Sequence, residues 1–118
     1  MKECKLEYKG GTLTLRILCE IDHHTAKLIR EATDALIEEK KPSRLVMDFS
    51  SVSFMDSSGI GLVLGRVAKA EPLGATVSVT GLCPRLYCLM KLSGLQRLKG
   101  LTLSCAGVSA KVLGGEKK

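Results

Sequence analysis

The spacing of apolar residues changes repeatedly along this chain, and that change constrains the fold most. Residues 4–8 and 13–19 alternate apolar and polar side chains, which is typical of strands. Lys9-Gly10-Gly11-Thr12 lies between them and predicts a tight hairpin turn, since glycine supplies the positive φ that such turns require. Residues 24–40 instead follow a helical period. A chain that switches between the two periods is typical of an α/β domain.

In this first helix the apolar residues share one stripe: Leu28, Ile29, Ala32, Ala35 and Leu36. The residues expected to face solvent are charged: Lys27, Arg30, Glu31, Asp34 and Glu38. Asp22 precedes the helix as a candidate cap, and Pro42 ends it.

Strand-like and helix-like segments continue to alternate as far as residue 103. We expect strands at 45–49, 75–79 and 101–103, and helices at 57–70 and from Pro84 onward. The predicted order is β-β-α-β-α-β-α-β, and helical crossovers make the strands they join parallel. We therefore expect an α/β fold with three to four helices and a mixed, mostly parallel sheet of four to five strands. The first strand should be antiparallel at its edge.

Residues 1–118 are expected to form a single domain with its core at about 4–103. In the second helix Ile60, Val63, Leu64 and Val67 share one face, and the third helix carries Leu86, Leu89 and Met90. Residues 104–118 carry little pattern, and we expect them to fray after one weak helical turn.

Composition narrows the class of protein. The chain is 45% hydrophobic and 25% charged, which is usual for a soluble globular domain. It has no apolar run near the ~20 residues that a membrane span needs. The polar start, Met1 to Lys5, does not resemble a signal peptide. We therefore expect a cytoplasmic protein with no membrane partner.

The cysteines and the basic charge give no positive indication of a ligand. The five cysteines form no C-x-x-C pair, so reduced thiols are expected and a structural metal site is not. The net charge of +6 is spread along the chain, and four scattered aromatic residues offer no platform for stacked bases. We expect no nucleic-acid partner.

The most informative segment is Phe54 to Gly61. Asp56 is a natural helix cap that places Ser57 and Ser58 in the first turn, with Gly59 and Gly61 behind them. Each interior glycine costs a helix up to about 1 kcal/mol relative to alanine. Two glycines so close together indicate either tight packing of the helix on a strand or close approach of another molecule.

Two chemical interpretations of this segment are disfavoured. The glycines are out of register for a dinucleotide-binding loop and lie inside the predicted helix. A nucleophilic serine needs an oriented base, but G-x-S-x-G is absent and the only histidines, His23 and His24, are far away in sequence. We therefore predict no catalytic residue, no cofactor and no enzymatic activity.

A serine that another enzyme phosphorylates fits the segment better. A phosphate at a helix N-terminus carries about −1.5 to −2 charges and would meet free amide donors and the positive end of the helix dipole. The same charges would spoil a surface that contacts another protein. Such a serine therefore acts on binding and leaves the fold intact.

Asp56-Ser57-Ser58-Gly59-Ile60-Gly61 resembles the phosphorylation motif of STAS domains in bacterial anti-sigma factor antagonists. Other segments match the SpoIIAA type of that family over residues 4–103: Glu20 to Ala26, Ser53 to Gly59, Leu64-Gly65-Arg66 and Ser93-Gly94-Leu95. Cys19 departs from a family glycine, and the C-terminal segment departs most.

The resemblance implies a monomeric partner-switching regulator of sporulation. A kinase anti-sigma factor of the SpoIIAB type would phosphorylate Ser58, or less favourably Ser57, and a PP2C-type phosphatase of the SpoIIE type would remove the phosphate. The unphosphorylated form would bind the anti-sigma factor and release sigma-F. The alternative is a sigma-B circuit or another stand-alone STAS regulator.

The resemblance also implies which residues contact the partner: Asp22, His23, Asp56, Ser57, Ser58, Gly59, Ile60 and Gly61. For Asp22 two roles stay open, a helix cap alone or a contact to a basic residue of the anti-sigma factor. The helix that follows Asp22 should begin beside the Ser58 helix, because the carboxyl ends of neighbouring parallel strands meet at one edge of a sheet. Two adjacent histidines point in different directions, which argues against a metal site.

Overall fold

The computed structural model describes residues 1–106. Its strands form one five-stranded sheet in chain order: β1 (Cys4–Lys9), β2 (Thr12–Ile17), β3 (Arg44–Asp48), β4 (Thr76–Leu82) and β5 (Leu101–Cys105). The α-helices are α1 (His23–Lys40), α2 (Ser57–Ala70) and α3 (Pro84–Leu92), and short 3-10 turns occupy Glu71–Leu73 and Leu95–Arg97. The predicted order of elements and the α/β class are confirmed.

The sheet directions follow from the connections. β1 is antiparallel to β2 at the edge of the sheet, and the turn between them holds Gly10 at φ 58° and Gly11 at φ 82°. Every later neighbouring pair is parallel and is joined by a crossover that contains a helix. The loops that leave β2, β3 and β4 therefore emerge at the same edge, and they lead into α1, α2 and α3.

The core lies between the helices and the central strands. Alternate residues of β2 are fully buried, and β3 and β4 repeat that pattern beside it. Burial of these side chains supplies the main stabilising term, at roughly 1.5–3 kcal/mol for each large apolar side chain. The largest fully buried side chains include Phe49, Leu13, Leu15, Ile17, Leu45, Met47 and Leu82.

The buried faces of the helices differ from the predicted stripes. The buried residues of α1 are Ile29, Thr33 and Ile37, and Ala35 is exposed. Leu64 of α2 and Leu89 of α3 are 43% and 37% exposed, so the apolar residues of these two helices are not all buried. The reason in α1 and α2 is that each helix packs against the sheet and against the other helix, which moves the buried face away from the most apolar stripe.

The last strand is longer than predicted. β5 extends to Cys105, which pairs with Leu82 after an irregularity in the register of β4. The predicted helical turn near the C-terminus falls largely on residues 107–118, which are outside the described residues.

Neither a membrane span nor a metal cluster is found in the described part of the chain. No helix within residues 1–106 has the length and apolarity needed to cross a bilayer. Over the same residues no three His, Cys, Asp or Glu side chains are placed to hold a metal ion. The cysteines, all of which lie in this range, are free: Cys4, Cys19, Cys83, Cys88 and Cys105.

Candidate functional site

The loops that precede α1 and α2 are hydrogen-bonded to each other. Ile21 and Met55 form an isolated parallel bridge, in which Ile21 N–H donates to the Phe54 carbonyl at 3.1 Å. Asp56 N–H in turn donates to the Ile21 carbonyl at 3.1 Å. The residues that follow the bridge, Asp22 and Asp56, cap the two helices, so the two helices do begin side by side.

Asp22 is held in a reciprocal capping box with Thr25. Its Oδ1 accepts from Thr25 N–H at 2.9 Å, and its own N–H donates to Thr25 Oγ1 at 2.9 Å. The hydrogen bond from the Thr25 backbone, followed by that from its hydroxyl, lowers the pKa of the Asp22 carboxyl. The cap role of Asp22 is therefore established, and a contact to a partner stays a prediction. His24 is exposed next to it.

Asp56 organises the first turn of α2. Its Oδ1 accepts from Ser58 N–H at 2.7 Å, and its backbone carbonyl accepts from Gly59 N–H at 3.0 Å. Two of the amides that were expected to be free for a phosphate on Ser58 are thus already occupied. Ser57 is exposed, whereas Ser58 is half-buried.

A groove of about 370 Å³ lies between α1 and α2, and Ser58 forms part of its wall. From α2 it is lined by Ser58, Gly61 and Leu62, and from α1 by His23, Ala26, Lys27 and Arg30. The sequence pattern had placed Lys27 and Arg30 on the solvent face. Both residues are exposed, as predicted, and their three-residue spacing also places them along the groove, on the surface of α1 next to α2. The groove brings basic side chains to the serine that the motif had indicated.

The two glycines of the motif have different structural roles. A Cβ added to Gly59 would meet the side chain of Met55, including its Cβ at 3.0 Å, so this glycine is required by tight packing on the loop. A Cβ at Gly61 would meet nothing within 4 Å, and Gly61 leaves space in the groove. Ile60 lies between them, half-buried against the core.

A buried ion pair joins the same two helices one turn further on. Arg66 is 3% exposed, and its Nε and Nη2 lie 2.9 Å and 3.2 Å from the two carboxylate oxygens of Asp34. Burial lowers the pKa of the Arg66 guanidinium, and the charge of Asp34 opposes that change. Sequence reasoning had assigned Asp34 to the solvent face and Arg66 to no role. The four-residue spacing of Leu62, Arg66 and Ala70 would have shown that an arginine continues the buried face of α2.

The fold and this site define a class: an α/β binding domain in which a serine at the start of a helix faces a groove between two helices. The chain belongs to the STAS domain family, whose family model matches residues 3–106.

Sequence relatives support the membership of this chain in that family. An anti-sigma F factor antagonist of Paenibacillus polymyxa is 31% identical over 96 residues, covering 81% of this chain and 82% of that protein. An anti-sigma-B factor antagonist of Bacillus subtilis is 29% identical over 95 residues, covering 80% of this chain and 85% of that protein.

Solved structures of anti-sigma factor antagonists share the fold of this chain. The anti-sigma factor antagonist SpoIIAA in its unphosphorylated form superposes with a TM-score of 0.74 at 26% identity, covering 97% of this chain and 95% of that one. The Bacillus cell fate determinant SpoIIAA in its phosphorylated form superposes with a TM-score of 0.68, also at 26% identity, and covers 98% of this chain and 99% of that one.

Proposed function

We propose that this chain is an anti-sigma F factor antagonist of the SpoIIAA type, which binds a kinase anti-sigma factor until Ser58 is phosphorylated. The observation that carries the proposal is the position of Ser58, half-buried in the first turn of α2 at the wall of the inter-helix groove. The names of the relatives and of the superposed structures support the same function. The binding face comprises the adjoining starts of α1 and α2: Asp22, His23, Asp56, Ser57, Ser58, Gly59, Ile60 and Gly61.

Ser58 is a better acceptor of the phosphate than Ser57. Its backbone is fixed through the hydrogen bond to Asp56, while its hydroxyl takes part in no hydrogen bond within residues 1–106. A side chain with a fixed backbone and an unoccupied hydroxyl is ready to enter another enzyme's active site. Ser57 is more exposed but does not line the groove.

In the proposed reaction the kinase partner supplies the catalytic groups. The Ser58 oxygen forms a bond to the γ-phosphorus of ATP, the bond from that phosphorus to the β-γ bridging oxygen breaks, and ADP leaves. The serine proton passes to a base of the kinase, since within residues 1–106 no side chain is hydrogen-bonded to the Ser58 hydroxyl and the Asp56 carboxylate accepts from the Ser58 backbone. A PP2C-type phosphatase of the SpoIIE type hydrolyses the phosphate ester and restores the serine.

The phosphate acts on the interface through its charge. A dianion at the centre of a contact surface must lose its water or hold the partner away, and either costs binding free energy. Unphosphorylated Ser58 imposes no such cost. Capture of the anti-sigma factor by the unphosphorylated form would then release sigma-F in the cytoplasm.

A second circuit is favoured by one observation, the presence of anti-sigma-B factor antagonists among the relatives. A general-stress antagonist would use the same fold and the same serine with another anti-sigma factor. Separate binding measurements with purified anti-sigma factors of the F and B circuits distinguish the two functions.

The decisive experiment is phosphorylation in vitro. The protein is incubated with a SpoIIAB-type kinase and ATP, and the phosphate is located by mass spectrometry. We expect one phosphate on Ser58, its loss in Ser58→Ala, and its retention in the control Ser57→Ala. Phosphate that persists in Ser58→Ala would refute the site, and a protein that neither binds nor is modified by any anti-sigma kinase would refute the function.

A further inference from the structure

The groove beside Ser58 has a basic wall. His23, Lys27 and Arg30 of α1 face Ser58, Gly61 and Leu62 of α2 across a cavity of about 370 Å³. Lys27 and Arg30 have long flexible side chains, and both residues are exposed. Their charged groups can therefore reach a ligand on the opposite wall.

These two cations lack a counter-charge in the described part of the chain. The ion pairs found within residues 1–106 are Arg16–Asp48, Lys40–Glu39, Arg66–Asp34 and Lys69–Glu38, and none includes Lys27 or Arg30. The carboxylates that follow on α1 are Glu31 and Asp34: Glu31 appears in none of these ion pairs, and Asp34 is occupied by Arg66. Two unpaired positive charges thus lie on one wall of a groove whose other wall carries a serine hydroxyl.

The first turn of α2 offers fewer free amide donors to a phosphate on Ser58 than a helix N-terminus usually does. The amides of Ser58 and Gly59 already donate to Asp56, and the Asp56 carboxylate repels a second anion. A phosphoserine here needs a favourable partner from outside its own helix. The groove provides one, because two cations match the roughly −1.5 to −2 charge of a phosphate ester at neutral pH.

We propose that Lys27 and Arg30 hold the phosphate group on Ser58 across the groove between α1 and α2. The inference rests on the proposed function only in taking Ser58 as the phosphorylated residue. It explains how the fold accommodates a dianion next to Asp56 without disturbing the core. It also means that phosphorylation changes the surface in a second way. Once Lys27 and Arg30 are bound to the phosphate, they are no longer available to contact another protein.

The test needs no kinase. Phosphoserine is placed at position 58 during translation, and the pKa of its phosphate is measured by phosphorus NMR titration in three backgrounds. These are the otherwise native chain, the pair Lys27→Gln and Arg30→Gln, and the control pair Arg44→Gln and Lys99→Gln. The control removes the same charge from exposed positions at the amino ends of β3 and β5, the opposite edge of the sheet.

Nearby cations favour the dianion and lower its second pKa, ordinarily about 6. We expect this pKa to be lower in the native background and in the control than in Lys27→Gln/Arg30→Gln, by about half a unit or more. The three values should coincide in urea, where the groove is lost. Equal values in the three folded proteins would overturn the proposal.

Two further measurements keep the result interpretable. Circular dichroism establishes that each variant is folded, and the single variants Lys27→Gln and Arg30→Gln replace the pair if the pair is not. Failure of the anti-sigma kinase to modify Ser58 would refute the proposed function while leaving the groove's effect on the phosphate pKa intact. Equal phosphate pKa values with normal phosphorylation would refute the groove proposal alone.

Discussion

Asp34 of α1 and Arg66 of α2 form a two-contact ion pair, at 2.9 Å and 3.2 Å, with the arginine almost completely buried. The pair lies one helical turn beyond the groove on both helices, so it fixes the separation of the walls that carry Ser58 and the cations. Burial removes much of the water around both charges. Removal of one partner therefore leaves the other charge poorly solvated and without an opposite charge.

Arg66→Ala should therefore lower the free energy of unfolding by about 3 kcal/mol, the lower end of the range for a broken buried pair because Asp34 keeps some exposure. The double variant Asp34→Ala/Arg66→Ala should lose less than the sum of the two single changes. Urea unfolding at neutral pH measures all three.

The chain offers a matched control for this cycle. Lys69 and Glu38 also join α2 to α1, at 2.5 Å, but both side chains are well exposed. Exposed pairs contribute little, so Lys69→Ala and Glu38→Ala should have small and nearly additive effects. Equal coupling in the exposed and the buried pair would contradict this account of the interface.

The glycines of the serine motif should respond oppositely to alanine. Gly59→Ala should destabilise the fold, because the new Cβ meets the buried Met55 side chain. Gly61→Ala should stabilise it by up to about 1 kcal/mol, since its Cβ enters open space and alanine is the better helix former. Thermal unfolding of the two variants and of the native chain measures both changes in stability. A loss of stability in Gly61→Ala would mean that the groove cannot accept even a methyl group.

The Asp22 cap predicts a specific loss of stability in acid. Hydrogen bonds from Thr25 lower the folded-state pKa of Asp22 below its ordinary value of 3.8. A carboxyl with a depressed pKa stabilises the fold above its unfolded-state pKa, and that contribution is lost as the pH falls through the folded-state value. Asp22→Asn should therefore narrow the difference in stability between neutral pH and pH values below 3.8. Urea midpoints measured across this range test the effect, with Glu20→Gln, an exposed neighbour outside the capping box, as the control. A midpoint that falls equally in both variants would show that the cap does not titrate as described.

The sequence predicted the elements well because each depends on local patterns. The boundaries of α2 at Ser57 and Ala70 agree with the structure, since a capping aspartate and a Pro-Leu-Gly segment mark its ends. The adjacency of Asp22 and Asp56 followed from topology alone, because neighbouring parallel strands end at the same edge of the sheet.

The sequence did not predict which side of α1 faces α2. A helical pattern separates apolar from charged residues, and it assigned Lys27, Arg30 and Asp34 together to solvent. In the structure the second helix covers part of that face, so Asp34 is paired with Arg66, while Lys27 and Arg30 stay exposed and line the groove. Such contacts depend on the angle and distance between helices, which no periodicity within one helix records.

A charge placed at Ser58 should separate binding from folding. Ser58→Asp should weaken binding of the anti-sigma factor by ~1.4 kcal/mol or more, a factor of about ten, because the carboxylate is desolvated in the interface. The melting temperature should change little, since Ser58 lines an open groove and is only half-buried. Gln96→Asp adds the same charge at an exposed position after α3 and should leave binding unchanged. Isothermal titration calorimetry and thermal unfolding of the two variants give both quantities. A Ser58→Asp protein that binds as tightly as the native chain would remove the physical basis of the switch, and one that fails to fold would assign the serine to the structure instead.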